Sequence, residues 1–128
     1  MLKARLAVVL LGILLPYLAR LPGGLGWLAQ YTNTGLSGAT FLGLFNAIAW
    51  GAILLISLLY RRPLSVLAPA VPGFLFLAWA HYQLDLAADA QAALGIVFFP
   101  IYALLPILLG GVLGYLLERR ARQTQQPG

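Results

Sequence analysis

The chain has 128 residues, of which 62% are hydrophobic and 9% are charged, whereas soluble domains contain roughly 45–50% apolar and 25% charged residues. A soluble domain of this length would expose much of that apolar surface and aggregate, so the composition argues against a water-soluble fold and for an integral membrane protein. The sequence contains no cysteine, which excludes disulfides, thiolate metal ligands and cysteine nucleophiles.

The net charge of +5 is distributed in short clusters beside apolar segments and forms no long basic face. Lys3 and Arg5 precede the first segment, Arg61 and Arg62 follow the second, and three arginines between positions 119 and 122 follow the last. Basic clusters that flank apolar spans mark the cytoplasmic side of a membrane. We therefore expect the basic charge to set the topology, and we expect no nucleic-acid partner.

Four apolar segments predict an all-α, polytopic membrane protein with a single transmembrane domain. A helix rises about 1.5 Å per residue, so roughly 20 residues cross a hydrocarbon core of about 30 Å. The first segment is short, and its basic start also fits a signal peptide, but no small-residue cleavage site follows it, so we expect an uncleaved helix. The predicted helices are residues 6–21, 40–60, 64–82 and 94–117.

The distribution of charge predicts the orientation of these helices. With four spans, seven of the eight cations fall on one side, while Arg20 falls on the other side together with Asp85 and Asp89. The positive-inside rule then predicts an up-down bundle of four helices with both termini in the cytoplasm. The richness in Ala, Leu, Gly and Arg favours a bacterial cytoplasmic membrane.

The connections between the helices differ in length. Residues 61–63 leave room for only a tight turn, with Pro63 suited to the start of the next helix. Residues 22–38 carry five glycines, together with aromatic and polar residues, and predict a surface loop in the headgroup region. Ser37 is a plausible N-cap for the second helix, and residues 123–128 form a polar tail.

Small residues recur at steps of four on two of the predicted helices. Gly43, Ala47 and Gly51 form one stripe, and Gly110 and Gly114 form another. Such stripes allow close approach of two backbones, which is how membrane helices often pack. Packing within the monomer is the favoured interpretation, and a seam between copies of the chain is the alternative.

Polar residues near the outer ends of the helices are the candidates for an ion or ligand site. His81, Asp85 and Asp89 are spaced by four and would share one face of a continued third helix. Asn46 lies about two turns into the second helix, and Arg20 belongs to the same outer layer. The alternative is structural: His81 lies where water is close, Asp85 is in the loop, Asp89 is a helix cap, and Arg20 extends toward the headgroups.

Function is predicted mainly by what the sequence lacks. The deep membrane zone carries no charged side chain, and no nucleophile or metal-ligand motif is present, so we expect no catalytic residue, metal or cofactor. The favoured hypothesis is an accessory, scaffold or oligomer-forming subunit whose partners are the bilayer, itself or another membrane protein. The alternative is a small oligomeric channel or transporter with an outward-facing mouth around Asn46, His81 and Asp85. A lipid enzyme with His81 as its base is a third, weaker hypothesis.

Overall fold

The computed structural model describes residues 1–88 and 91–125, and every regular element in this part of the chain is helical. The predicted all-α class is therefore confirmed for the described residues. The α-helices are α1 (Leu2–Leu18), α2 (Leu25–Thr32), α3 (Gly35–Ser57), α4 (Leu67–Gln83) and α5 (Leu94–Gln125). A 3-10 turn at Leu21–Gly23 precedes α2, and another at Pro63–Val66 precedes α4.

Within residues 1–88 and 91–125, four helical segments are long and apolar enough to cross a membrane, as the hydropathy pattern predicts. Large apolar side chains cover their outer surfaces, including Leu55, Leu75 and Leu105, which are each 66–70% exposed. A surface of this kind is stable where the solvent is hydrocarbon. The four segments are Leu2–Gly23, Gly35–Ser57, Pro63–Gln83 and Leu94–Gln123.

The segment predicted as an outer loop, residues 22–38, is instead largely helical. It contains α2 and the first turn of α3, which places Ser37 inside α3 and not at its N-cap. The physical reason lies in two glycines with positive φ, Gly24 at 95° and Gly35 at 73°. Each changes the chain direction within a single residue, so the residues between them are free to form a helix.

Two further helices differ from their predicted bounds of 6–21 and 94–117: α1 is displaced toward the N-terminus, and α5 is longer. α1 begins at Leu2 and ends at Leu18, and α5 continues to Gln125, into the segment expected to be a polar tail. In α5 the charged residues after position 117 extend the helix because Glu, Arg and Gln are strong helix formers even where no apolar face requires them.

The core lies where α3, α4 and α5 meet. Ile53 of α3, Leu77 of α4 and Ile107 of α5 are completely buried and belong to one apolar cluster. Gly73 of α4 allows this approach, since a Cβ atom there would lie 2.4 Å from a side-chain carbon of Ile107. Close packing of this kind supplies the dispersion contacts that hold membrane helices together.

Side-chain contacts bring the predicted cytoplasmic charges to one end of the molecule. Arg5 of α1 donates to Ser57 at the end of α3, and Arg122 of α5 donates to the carbonyl oxygen of Leu59. The connection between α3 and α4, which carries Arg61 and Arg62, lies against the same part of α5. We call this the basic end, and the opposite end, which contains α2, the α2 end.

Candidate functional site

Arg20, in the turn after α1, is the centre of a polar network at the α2 end. Its side chain is completely buried, so it does not extend toward the headgroups as predicted. Nε donates to the carbonyl oxygen of Trp27 at 2.8 Å, and Nη1 donates to the carbonyl oxygens of His81 and Leu84 at 2.7 and 2.6 Å. Nη2 donates to Oε1 of Gln30 at 2.8 Å. The prediction failed because α2 folds over the guanidinium and supplies acceptors that replace water.

Two aromatic rings of α2, those of Trp27 and Tyr31, also pack against the guanidinium of Arg20. The central carbon of the Arg20 guanidinium, Cζ, lies 4.3 Å from the ring centroid of Trp27 and 4.1 Å from that of Tyr31. A cation over an aromatic face is attracted by the ring quadrupole, most strongly when desolvated. All three guanidinium nitrogen atoms thus donate to acceptors within the chain, and two aromatic rings pack against the same group.

Gln30 connects Arg20 to Asp85. Its Oε1 accepts from Arg20 and also from the backbone N–H of Leu86 at 2.9 Å, while its Nε2 donates to Oδ1 of Asp85 at 2.9 Å. Asp85 also accepts from the backbone N–H of Ala87 at 3.0 Å. These hydrogen bonds, the one from Gln30 first, hold the pKa of Asp85 below its ordinary value of 3.8.

The predicted acidic face of α4 does not form in the described residues. α4 ends at Gln83, and Leu84 adopts an extended backbone with ψ of 121°, so Asp85 is no longer in helical register with His81. Asp89, the third member of the predicted face, lies outside the described residues. The structure therefore brings Arg20 and Asp85 together through Gln30, and it places His81 beside them through the backbone.

The imidazole of His81 is completely buried between aromatic rings. Nδ1 lies 2.8 Å from the hydroxyl oxygen of Tyr31, and the ring meets Tyr31 and Phe99 edge-on. Burial raises the pKa of Tyr31 to about 12, so its phenol keeps its proton and can donate it to Nδ1. Nε2 has no hydrogen-bond partner among the described residues.

Asn46 joins α3 to α1. Its Nδ2 donates to the carbonyl oxygen of Gly12 at 2.6 Å, and its side chain is 1% exposed. The other amide atom, Oδ1, is buried without a partner in the described part of the chain. No described hydrogen bond links Asn46 to His81 or Asp85, so its contact is of the interhelical kind common in membrane proteins.

The two stripes of small residues differ in what covers them. A Cβ atom at Gly110 would lie 2.1 Å from the carbonyl oxygen of Ala68, and one at Gly114 would lie 2.4 Å from the Tyr60 hydroxyl oxygen. That stripe is therefore filled by α4 and by the connection before it. At Gly43 and Gly51 an added Cβ atom would meet no atom of the described residues within 4 Å. These two positions are therefore not covered by another described helix, whereas Ala47 between them is half-buried.

A second polar network, which sequence reasoning missed, surrounds Glu118 at the basic end. The carboxylate is 1% exposed, and a single oxygen, Oε1, accepts from the backbone N–H groups of Arg61 and Arg62 at 3.2 and 2.7 Å and from the Ser65 hydroxyl at 2.8 Å. Arg122 approaches Oε2 at 3.8 Å. The signal was present in the spacing, since position 118 continues the Gly110–Gly114 steps of four onto the face that meets α4.

Both networks bind the protein's own backbone. The described residues contain no group of three or more His, Cys, Asp or Glu side chains that could hold a metal ion. The buried polar groups act chemically as caps that satisfy helix ends and connections, which otherwise leave amides and carbonyls without partners. Comparison of the chain with known protein families, with curated proteins and with solved structures found no match.

Proposed function

We propose that this chain is a small membrane protein without catalytic machinery, which acts through helix packing as an oligomer-forming subunit. The observation that carries the proposal is the contrast between its two small-residue stripes. The stripe on α5 is filled from within the monomer, whereas Gly43 and Gly51 on α3 are left open. Small residues on a helix surface allow the backbone of another helix to approach closely, and membrane helices often associate through such surfaces.

The partner that we propose for this face of α3 is a second copy of the same chain. A stripe of glycine and alanine is flat, and a flat surface is complementary to itself, so a two-fold axis beside α3 would bring Gly43, Ala47 and Gly51 of both copies together. The buried polar networks support a packing role as well. Arg20 makes its hydrogen bonds to acceptors within the chain, as a group that stabilises a fold does.

We further propose an inner-membrane location with an up-down bundle and both termini in the cytoplasm. The contacts at the basic end support this arrangement, since they join the start of α1, the connection between α3 and α4, and α5. Seven of the eight cations then lie on one side, as the positive-inside rule requires of short loops and flanking segments.

The test is the oligomeric state in lipid. Energy transfer between labelled copies, measured in vesicles at increasing dilution in lipid, should show association of the wild type. Gly51→Leu should shift the equilibrium to monomer without unfolding the chain, because an added Cβ atom at this position meets no atom of the described residues within 4 Å. Gly26→Leu on α2 is the matched control, since an added Cβ atom there also meets nothing within 4 Å.

Two outcomes would contradict this function. A wild-type chain that stays monomeric at every dilution and retains no partner in mild detergent would remove the packing hypothesis. Flux of ions across the same vesicles, lost in His81→Ala, would favour the channel or transporter instead. One observation favours that alternative: Nε2 of His81 and Oδ1 of Asn46 are buried polar atoms without described partners, as atoms that face a transported ligand or water can be.

A further inference from the structure

An apolar groove of about 400 Å³ lies between α1 and α4 on the outer surface of the bundle. Its residues are all Ala, Val, Leu, Pro or Phe, and small side chains such as Ala7 and Ala70 give it depth. Small-molecule sites in proteins have volumes of roughly 300–1,000 Å³. The groove is therefore large enough to hold a ligand, and that ligand must be apolar where it touches the walls.

The groove has the length of one leaflet. It begins at Ala4 and Pro63, at the basic end, and it reaches Leu15 on α1 and Ala78 on α4. At about 1.5 Å per residue, the distance along α1 from position 4 to position 15 is roughly 16 Å. This is about half of a hydrocarbon core of about 30 Å. A lipid acyl chain occupies one leaflet, so its length matches that of the groove.

Three cations lie next to the end of the groove at Ala4 and Pro63, which we call the groove mouth. Lys3 precedes the lining residue Ala4, and Arg61 and Arg62 precede the lining residue Pro63. All three side chains are exposed, and within the described residues none of them makes a hydrogen bond or ion pair to the protein. The nearby acid, Glu118, contacts backbone amides, Ser65 and Arg122, and within the described residues it forms no ion pair with these three side chains.

We propose that this groove binds one acyl chain of an anionic phospholipid, with the headgroup held by Lys3, Arg61 and Arg62. The apolar walls favour an acyl chain, and the length of the groove, about half of the hydrocarbon core, limits the ligand to one leaflet. The cations distinguish an anionic headgroup from a zwitterionic one, since basic residues at a membrane surface attract anionic lipids electrostatically. The site is formed by α1 and α4, so lipid binding can be tested independently of the proposed association through α3.

Lipid binding is tested on the whole chain in a neutral detergent, with native mass spectrometry during titration with phosphatidylglycerol or phosphatidylcholine. We expect one saturable phosphatidylglycerol and weaker phosphatidylcholine binding. Replacing Arg61 and Arg62 together by Gln should weaken phosphatidylglycerol binding about tenfold or more, because each cation near the surface contributes to the attraction. The matched control replaces Arg119 and Arg120 by Gln, which changes the net charge equally but leaves the groove mouth intact.

The apolar half of the site has its own variants. Ala7→Phe places a ring in the groove from an exposed position on α1, and it should abolish the saturable site. Leu105→Phe, on the exposed face of α5, should leave it unchanged. The proposal is overturned if Ala7→Phe binds phosphatidylglycerol like the wild type, if the two arginine pairs have equal effects, or if phosphatidylcholine binds equally well.

Discussion

The two ends of α4 are both held by a buried charge, but the charges have opposite sign and bind in different ways. At its C-terminal end, Arg20 donates to the carbonyl oxygens of His81 and Leu84. At its N-terminal end, Glu118 accepts from the amides of Arg61 and Arg62 and from Ser65 just before the helix. Each sign matches the partial charge of the helix end that it faces.

The difference between the two ends is geometric. Arg20 uses three nitrogen atoms to reach four acceptors in different directions. Glu118 uses one oxygen atom to accept three hydrogen bonds. The ammonium of a lysine cannot reproduce the planar set of donors of Arg20, whereas the amide of a glutamine still offers the single acceptor oxygen that Glu118 uses. We therefore expect the number of bonding directions, more than the charge, to decide how much stability a substitution costs at each end.

The largest effect is expected for Arg20→Lys. The ammonium group keeps the charge but cannot reach all four acceptors, so at least one buried carbonyl loses its donor, and we expect a loss of about 3 kcal/mol in the free energy of unfolding. Equilibrium unfolding in mixed micelles measures it. Arg119→Lys, which makes the same change at an exposed arginine on α5, is the control. Equal stability of the two variants would remove the geometric distinction.

Glu118→Gln should have a smaller effect, about 1 kcal/mol, because the amide oxygen can still accept the bonds to Arg61, Arg62 and Ser65. Glu118→Leu leaves those donors without an acceptor and should cost about 3 kcal/mol by the same measurement. If the Gln and Leu variants lose the same free energy, then the carboxylate charge matters more than its position as an acceptor.

The smallest effect is expected at Asp85, which is bonded to Gln30 but lies outside the helices. Because hydrogen bonds lower its pKa from 3.8, its ionised form stabilises the fold above that value, and the contribution disappears as the pH falls through the lowered pKa. Asp85→Asn should lower the melting temperature slightly at pH 7 and not at all in strong acid. Melting curves of both proteins across this range provide the measurement, and a difference that grows on acidification would contradict it.

Hydropathy alone predicted four spanning segments, because roughly 20 apolar residues in succession leave the backbone only one way to satisfy its amides within lipid. The burial of Arg20 could not be predicted in the same way. It depends on α2, which was interpreted as part of a loop because the segment is rich in glycine. Gly24 and Gly35, the glycines with positive φ, lie on either side of α2 and do not interrupt it. Once α2 is a helix, Trp27, Gln30 and Tyr31 all reach the guanidinium.

The small-residue stripes show a second limit of sequence reasoning. Gly110–Gly114 and Gly43–Ala47–Gly51 have the same spacing, and packing within the monomer was the favoured interpretation of both. In the described part of the chain, Gly110 and Gly114 meet another segment, whereas Gly43 and Gly51 do not. The spacing of small residues indicates that another helix can approach closely. It does not indicate which helix does so, or whether that helix belongs to the same chain. Glu118 lies on the filled stripe, so the signal for its burial existed but was hidden by its position among cations on the predicted basic side.

The length of α5 has a mechanical consequence. Its 32 residues extend for roughly 48 Å, about 18 Å more than a hydrocarbon core of about 30 Å requires. Glu118 and Arg122 fasten this surplus to the connection between α3 and α4, so it turns with the bundle as one rigid body. The polarisation of a fluorescent probe held rigidly on this part of α5 would therefore report the tilt of the whole molecule in a supported bilayer.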